Sequence, residues 1–262
     1  MQLHSKKIYS KMPLVSVIVP VFNDEKFIGE TLQSICSQSY TNLEVIVIDD
    51  FSSDSTLNIV RNFKDKRIRI IQNKKNCGAA YARNIGISAS NGEYISFLDG
   101  DDVWEREKVA KQLLFMQENN YVFSCTAYQL IDENSKPFNR TVKAPKRINH
   151  KAFIRSNYVG CLTVMYKKSI YPNLSIPTDI PKRNDYALWL KLSEKCDCYF
   201  LNESLARYRK RSMSISSDKK YKVFKSHMVL FEKLYNFSKF KAFLYSIRNV
   251  IYFFFRRFKY KK

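Results

Sequence analysis

The 262-residue chain carries 45 Lys and Arg against 24 Asp and Glu, a formal charge of +21, and is 45% hydrophobic with 15% aromatics. That composition is too apolar for a disordered chain and, with 6 Gly and 7 Pro, excludes a collagen-like repeat; a chain of this length builds one large core or a core with an appendage. The basic balance calls for an anionic partner, whether nucleic acid, an acidic membrane surface or a phosphorylated substrate.

Residues 1–13, MQLHSKKIYSKMP, read as an N-terminal extension without the apolar run of a signal peptide, so none is expected. Val15 to Phe22 is a nearly continuous β-branched run, the pattern of a strand buried on both faces of a parallel sheet. Phe27, Ile28, Thr31, Leu32, Ile35 and Cys36 then recur at helical spacing, and Leu43 to Asp50 returns to a strand, which completes one βαβ unit. Ser52 to Ser55 supplies N-cap candidates for a short helix bearing Leu57, Val60 and Phe63. A strand over Arg67–Gln72, a helix over Gly78–Ser90 and a strand over Glu93–Leu98 ending at Asp99 continue the alternation. That order predicts a doubly wound α/β layer whose ligands sit beyond the carboxyl ends of the strands, at a switch point.

After Asp102 the pattern reads as a helix over about 105–119, strands at Tyr121–Ile131 and Leu162–Tyr166, a Pro- and Asn-rich stretch from Pro172 to Pro181, and a helix carrying Leu188, Leu190 and Leu192. Lys219–Lys262 is compositionally separate, with 13 Lys and Arg against the single acid Glu232 and 14 Phe and Tyr. The six cysteines are scattered without CxxC spacing and read as reduced, small hydrophobes of a cytoplasmic protein.

Carboxylates cluster where such a sheet would place a ligand. At Asp49-Asp50 one acid can face the cleft while its neighbour satisfies backbone; the simpler reading is a loop cap. In FLDGDDVW, Asp99 and Asp101 are two apart on an extended end, so both carboxylates point one way, with Gly100 removing the bulk between them, as a hard divalent cation requires. The alternative is an acidic turn capping a helix that begins near Trp104. Asp185 precedes an apolar helical run and serves either as an N-cap or as a general base.

In order along the chain, VSVIVPVFNDE at 15–25, VIDDFSSDST at 47–56, NCGAAYARNIG at 76–86, GEYISFLDGDD at 92–102, NDYALWLKL at 184–192 and YRKRSMSIS at 208–216 resemble family 2 glycosyltransferases of the GT-A fold. The resemblance covers residues 14 to 216, about four-fifths of the chain. It implies a Rossmann-like, mostly parallel sheet flanked by helices, with a donor-binding half at 14–102, an acceptor-binding half at 103–218 and the basic aromatic tail at 219–262. It also implies inverting transfer of a sugar from a nucleotide-sugar, usually a UDP-sugar, to an acceptor hydroxyl. Pro20, Phe22 and Glu25 would lie around the nucleotide and Asp50 would contact the uracil. Asp99 and Asp101 would hold Mn²⁺ or Mg²⁺, with Asp101 the firmer ligand. Arg83 would lie near the diphosphate or brace the two acids, Asp185 would be the general base, and Arg211, where relatives often carry His, would bind phosphate. Phe51 stands where the family has glycine, which changes what that turn requires of the backbone.

Within the tail, residues 240–262 read as a helix with Phe243, Ile247, Val250, Ile251 and Phe254 toward lipid and its cations near headgroups. The resemblance adds an acceptor that is a lipid-linked saccharide of bacterial surface polysaccharide synthesis, and hence an enzyme held at the inner face of the cell membrane. A helix that packs its aromatics on the catalytic domain is the plainer alternative. Two rival functions fit less of the sequence. A nucleic-acid-binding protein leaves the clustered acids without a purpose, so no nucleic-acid partner is expected. A nucleotidyltransferase requires a Gly- and Lys/Arg-rich loop after the first strand, where this chain has Phe22-Asn23-Asp24-Glu25.

Overall fold

The computed structural model describes residues 12–180, 183–211 and 220–259, with the side chains of 220–223 and 253–259 outside that description. Pro181, the SMSIS part of the last motif and the Phe254 side chain therefore lie outside the described residues. The first half alternates as the sequence predicts: β1 (Val15–Val21), α1 (Ile28–Cys36), β2 (Leu43–Asp49), α2 (Thr56–Asn62), β3 (Ile68–Gln72), α3 (Ala79–Ala89) and β4 (Tyr94–Phe97). All seven β1 residues are buried because successive side chains face opposite helical layers. Val15, Val17 and Val19 join Leu32 and Ile35 of α1, while Ile18 joins Ala82 and Ile87 of α3 on the other face.

The second half departs from its pattern in several places. Val103–Trp104 is a short strand, β5, and the next helix, α4, runs Lys108–Glu118. The Asp99–Asp102 acids therefore do not cap that helix; Glu107 occupies its N-cap. β6 (Phe123–Ile131) carries an antiparallel partner β7 (Pro137–Val142), followed by β8 (Arg147–Ile148) and α5 (His150–Arg155). The strand expected at 162–166 is a 3₁₀ turn, Cys161–Thr163, followed by β9, Met165–Lys167. The 3₁₀ backbone lets Trp104 Nε1 donate to Leu162 O at 2.7 Å. α6 (Asn184–Ser193) and the long β10 (Cys198–Arg209) complete the sheet, and the tail forms α7 (Lys220–Tyr235) and α8 (Lys239–Lys259).

The strand order is β3-β2-β1-β4-β9-β6-β10-β5, with β7 beside β6 and β8 beside β10. β1, β2, β3 and β4 are mutually parallel, whereas β9 runs antiparallel between β4 and β6. The chain winds outward from β1 through β2 to β3 and then returns to β4 on the opposite side of β1, so the switch point lies between β1 and β4. β4 stops pairing with β1 at Ile18↔Phe97, while β1 continues against β2 to Val21↔Asp49. A crevice opens where they part. This one-sided pairing also accommodates Pro20 inside a central strand, because its missing N–H is not needed on the β4 side.

Candidate active site

The crevice is floored by the loop Asp99–Asp102. It is a turn, closed by Asp102 N donating to Asp99 O at 3.1 Å, rather than the extended end expected. Gly100 also has a different part from the one expected of it: a Cβ there would lie 2.6 Å from Asp24 Oδ2 and 2.9 Å from Val21 Cγ1. Its bareness lets a third carboxylate, Asp24, approach the loop. Asp24 is itself fixed by N–H groups, Phe22 N donating to its Oδ2 at 3.1 Å, and its own N–H donates to Thr56 Oγ1 at 2.7 Å. Gly100→Ala is expected to push the turn off Asp24, lowering stability by about 1–3 kcal/mol and transfer by a larger factor than thermal unfolding alone accounts for.

Two arginines hold this acidic group. Arg211 Nη1 contacts Asp24 Oδ1 at 2.7 Å and Asp101 Oδ2 at 3.1 Å. Arg83, only 5% exposed, pairs its Nη2 with Asp99 Oδ1 and donates from Nη1 to Asn184 Oδ1 at 2.8 Å. One guanidinium thus ties the acidic turn to the residue before Asp185. Burial opposes the charge on Arg83, but Asp99 and Asp185 outweigh it and raise its pKa. Asp185 lies one residue inside α6, whose N-cap is Arg183 in the left-handed region at φ 63°, so it is not the cap. Burial pushes the Asp185 carboxyl above the usual carboxylate range, against the pull of Arg83 and the Tyr186 N–H.

Asp101 is pushed up to about 6, first by burial and then by the charges of Asp99 and Asp24. Asp102 is also raised, again by burial first and then by Asp101 and Asp99, while it accepts the Arg209 N–H at 2.9 Å. Acids crowded beyond what two arginines neutralise form a donor set suited to Mg²⁺ or Mn²⁺. Among the described residues no three ligating side chains converge closely enough to hold an ion alone. Such an ion would be held by Asp101 and Asp99 together with oxygens of a bound diphosphate.

Just past the end of β2, Asp50 is 3% exposed and largely occupied. Its Oδ1 accepts from Asn73 Nδ2 at 2.8 Å and Cys77 N at 2.9 Å, and its Oδ2 from Gly78 N at 2.6 Å. The loop-cap reading therefore holds for most of this carboxylate, which anchors the start of α3 and through it Arg83; one acceptor position on Oδ2 remains. Gly78, at φ 86°, supplies the backbone that this anchorage requires. Phe51 follows at φ 68° with 53% exposure, so the turn keeps a glycine-like conformation with a bulky side chain in it, at about 1–2 kcal/mol. Phe22 is 44% exposed at the end of β1. Pro20 is buried in β1, and the exposed Glu25 accepts the Ser55 N–H at 3.0 Å, ahead of α2.

Two contributors escaped the sequence reading. Asp24 sits in the quoted FNDE but reads like any loop acid until Gly100 is seen against it. Arg209 has a fully buried side chain that donates from Nε to Asp101 O at 2.8 Å and ion-pairs Glu30 Oε2 at 2.5 Å, fixing the turn from beneath. The i, i+2 pair Arg209 and Arg211 on one strand end was the available signal.

The family model described as Glycosyl transferase family 2 matches residues 16–173, a span that holds Asp50, Arg83, Asp99 and Asp101 and stops short of Asp185 and Arg211. The chain is 39% identical over 210 residues to the putative teichuronic acid biosynthesis glycosyltransferase TuaG of Bacillus subtilis, covering 79% of this chain and 83% of the relative. It is 35% identical over 208 residues to the UDP-Glc:alpha-D-GlcNAc-diphosphoundecaprenol beta-1,3-glucosyltransferase WfgD of Escherichia coli, covering 79% and 81%. Among solved structures, S. aureus TarS 1-349 in complex with UDP-GlcNAc superposes with a TM-score of 0.69 at 21% identity over 87% of this chain and 69% of that one. The mannosyltransferase PcManGT from Pyrobaculum calidifontis in complex with GDP-Man and Mn²⁺ gives 0.68 at 20% identity over 91% and 70%. At these identities the two structures speak to the fold, a GT-A α/β layer.

Proposed function

The chain belongs to glycosyl transferase family 2 and is a glycosyltransferase, and on that premise we propose that it transfers a hexosyl or N-acetylhexosaminyl group from a UDP-sugar to a hydroxyl of a lipid-linked saccharide, with inversion at the anomeric carbon. The observation that carries this reading is the Arg83 guanidinium, which contacts both Asp99 and Asn184 and so gathers the acidic turn and Asp185 around one crevice. In this reading residues 14–102 hold the donor and residues 103–218 the acceptor. Phe22 offers a ring to the base and Asp50 its remaining acceptor position to a base N–H. Pro20 and Glu25 shape the same edge. Arg83 and Arg211 meet the diphosphate charge. A divalent ion, when bound, supplies Lewis-acid stabilisation of the departing diphosphate. Asp185 removes the acceptor proton as the hydroxyl attacks from the opposite face.

The relatives' names support the donor and acceptor classes, since one is named for UDP-Glc and a diphosphoundecaprenol-linked acceptor and another for teichuronic acid biosynthesis. A surface polysaccharide such as O-antigen is the product class this implies. The reading also places the enzyme at the inner face of the cell membrane. No helix among the described residues is long and apolar enough to cross a membrane, and α8 has the opposite of the usual packing. Its inward stripe is Ala242, Ser246 and Asn249, all nearly fully buried, while Phe243, Leu244, Ile247 and Ile251 are 37–49% exposed. α8 thus packs on the domain through Ala242, Ser246 and Asn249 rather than through the aromatics Phe240 and Phe243, with Asn249 Nδ2 donating to the Tyr186 hydroxyl at 2.8 Å on the helix that carries Asp185. Its outward apolar side chains support the reading of that face as one that meets an anionic membrane surface.

The test is to screen UDP- and GDP-sugars, each with Mn²⁺ and Mg²⁺, for protection against thermal unfolding and for turnover. UDP-sugars with metal are expected to give the largest shift; a GDP-sugar preference contradicts the donor assignment. The pH dependence follows from Asp185. A base acts only when ionised, and burial raises its pKa, so activity is expected to fall as pH drops while still above the ordinary Asp value of about 3.9. A turnover profile flat down to about pH 4 contradicts a buried carboxylate base.

A further inference from the structure

α5 and α8 contain no Asp or Glu. Where they meet, Lys151, Ile154, Arg155, Tyr245 and Arg248 line a pocket of about 170 Å³ that opens to solvent. Among the described residues none of its three cations makes an ion pair. Arg248 lies over the Tyr245 ring at 4.4 Å, and its buried Nε–H meets no acceptor among the described residues. Arg155 lies over Tyr252 at 5.7 Å. Both guanidiniums thus lie over aromatic faces, with Arg248 Nε left unpartnered among the described residues, and a planar fork of donors matches the oxygens of a phosphate. The pocket shares α8 with the exposed apolar side chains Leu244, Ile247 and Ile251.

We propose that this pocket binds the phosphate of an anionic phospholipid headgroup while the neighbouring apolar side chains enter the acyl boundary. The inference rests on, and deepens, the reading of α8 as a membrane face. It turns a diffuse attraction into a defined site, so that the enzyme sits on the bilayer in one orientation. Because α8 hydrogen-bonds Tyr186, the residue after Asp185, that orientation is passed to the acceptor side of the crevice.

The experiment measures co-sedimentation of the full chain with phosphatidylcholine vesicles, with and without phosphatidylglycerol, for the wild type and two charge-matched variants. One is Lys151→Gln/Arg155→Gln/Arg248→Gln, in the pocket; the other is Lys225→Gln/Lys239→Gln/Lys241→Gln, on α7 and α8 outside it. Diffuse attraction predicts equal losses from equal charge, whereas a built site predicts that the pocket variant loses roughly tenfold more affinity for phosphatidylglycerol vesicles than the control. Equal losses overturn the pocket and leave membrane association standing. A wild type indifferent to phosphatidylglycerol overturns both. Inorganic phosphate that binds the protein in the absence of any vesicle binding marks a free-anion site and overturns the lipid assignment. Should the triple variant lose its UDP-dependent melting shift, Arg248→Gln alone is read against Lys241→Gln by the same criterion.

Discussion

Asp185→Asn is expected to reduce sugar transfer by about 10²–10⁴ while changing UDP affinity by less than about threefold. The substitution keeps the shape of the side chain and removes only its capacity to take a proton. Its neighbours keep their partners, since Arg83 still holds Asp99 and Asn184. Burial disfavours the ionised carboxyl, and Asp99 remains to offset the buried Arg83 charge that Asp185 helps to balance, so the fold is expected to survive the change. Single-turnover measurements at saturating donor separate the two effects: the account predicts lost chemistry with retained binding. Loss of UDP affinity in the same variant would move Asp185 from the acceptor side to the donor side and leave the enzyme without an identified base.

Asp101→Asn is expected to do two things of opposite sign. Transfer should fall by about 10²–10³, because one of the two acids proposed to hold the divalent ion is lost, and with it part of the ion's stabilisation of the departing diphosphate. The free protein should become more stable. Asp101 is pushed up to about 6, so above that pH its ionised form is held at a cost in the folded state. That cost is present at neutral pH, shrinks as pH falls through about 6, and vanishes below the unfolded-state pKa of about 3.9. Melting curves of the metal-free variant and wild type should therefore diverge at neutral pH, with the variant higher by about 1–3 kcal/mol, and converge in acid. A variant that is less stable at neutral pH would mean that Arg211 needs Asp101 more than Asp101 is repelled by Asp99 and Asp24.

The two halves of the fold differed in how far their sequence announced them. Through β4 the period of the apolar residues changes cleanly from strand to helix, and β1, β2 and β4 are buried on both faces while β3 lies half-exposed at the sheet edge, so the elements were legible to within a residue or two. After Asp102 the elements are held by partners distant in sequence. Val103–Trp104 is a strand only because β10 runs beside it, and Cys161–Thr163 is a 3₁₀ turn under the Trp104 indole. β10 itself bulges between Leu201 and Ala206 against β6, which breaks the alternation that would announce it.

The site shows the same division. Asp50, Arg83, Asp99, Asp101, Asp185 and Arg211 could be picked out because they sit at strand ends or in ordered motifs. What they touch could not. Asp24 and Arg209 act through contacts to Gly100 and to the Asp101 carbonyl, and neither contact leaves a spacing rule in the sequence. The Phe51 substitution is the converse. Its letter departs from the family, yet its backbone at φ 68° keeps the turn a glycine would make.

The basic charge of the chain divides along the same line. Residues 219–262 carry +12 of the formal +21, while the first 218 residues hold 23 of the 24 acids, including every carboxylate assigned to the crevice. A cationic tail helix with its apolar side chains outward and an acidic crevice at the β1–β4 switch point are separate devices on one chain.

The central claim is a single displacement at the anomeric carbon with Asp185 as base, and the configuration of the product tests it most directly. With an α-linked UDP-sugar that both stabilises the protein and turns over, nuclear magnetic resonance of the new linkage should show a β-glycoside. An α-glycoside would require a double displacement or front-face attack and would contradict the account.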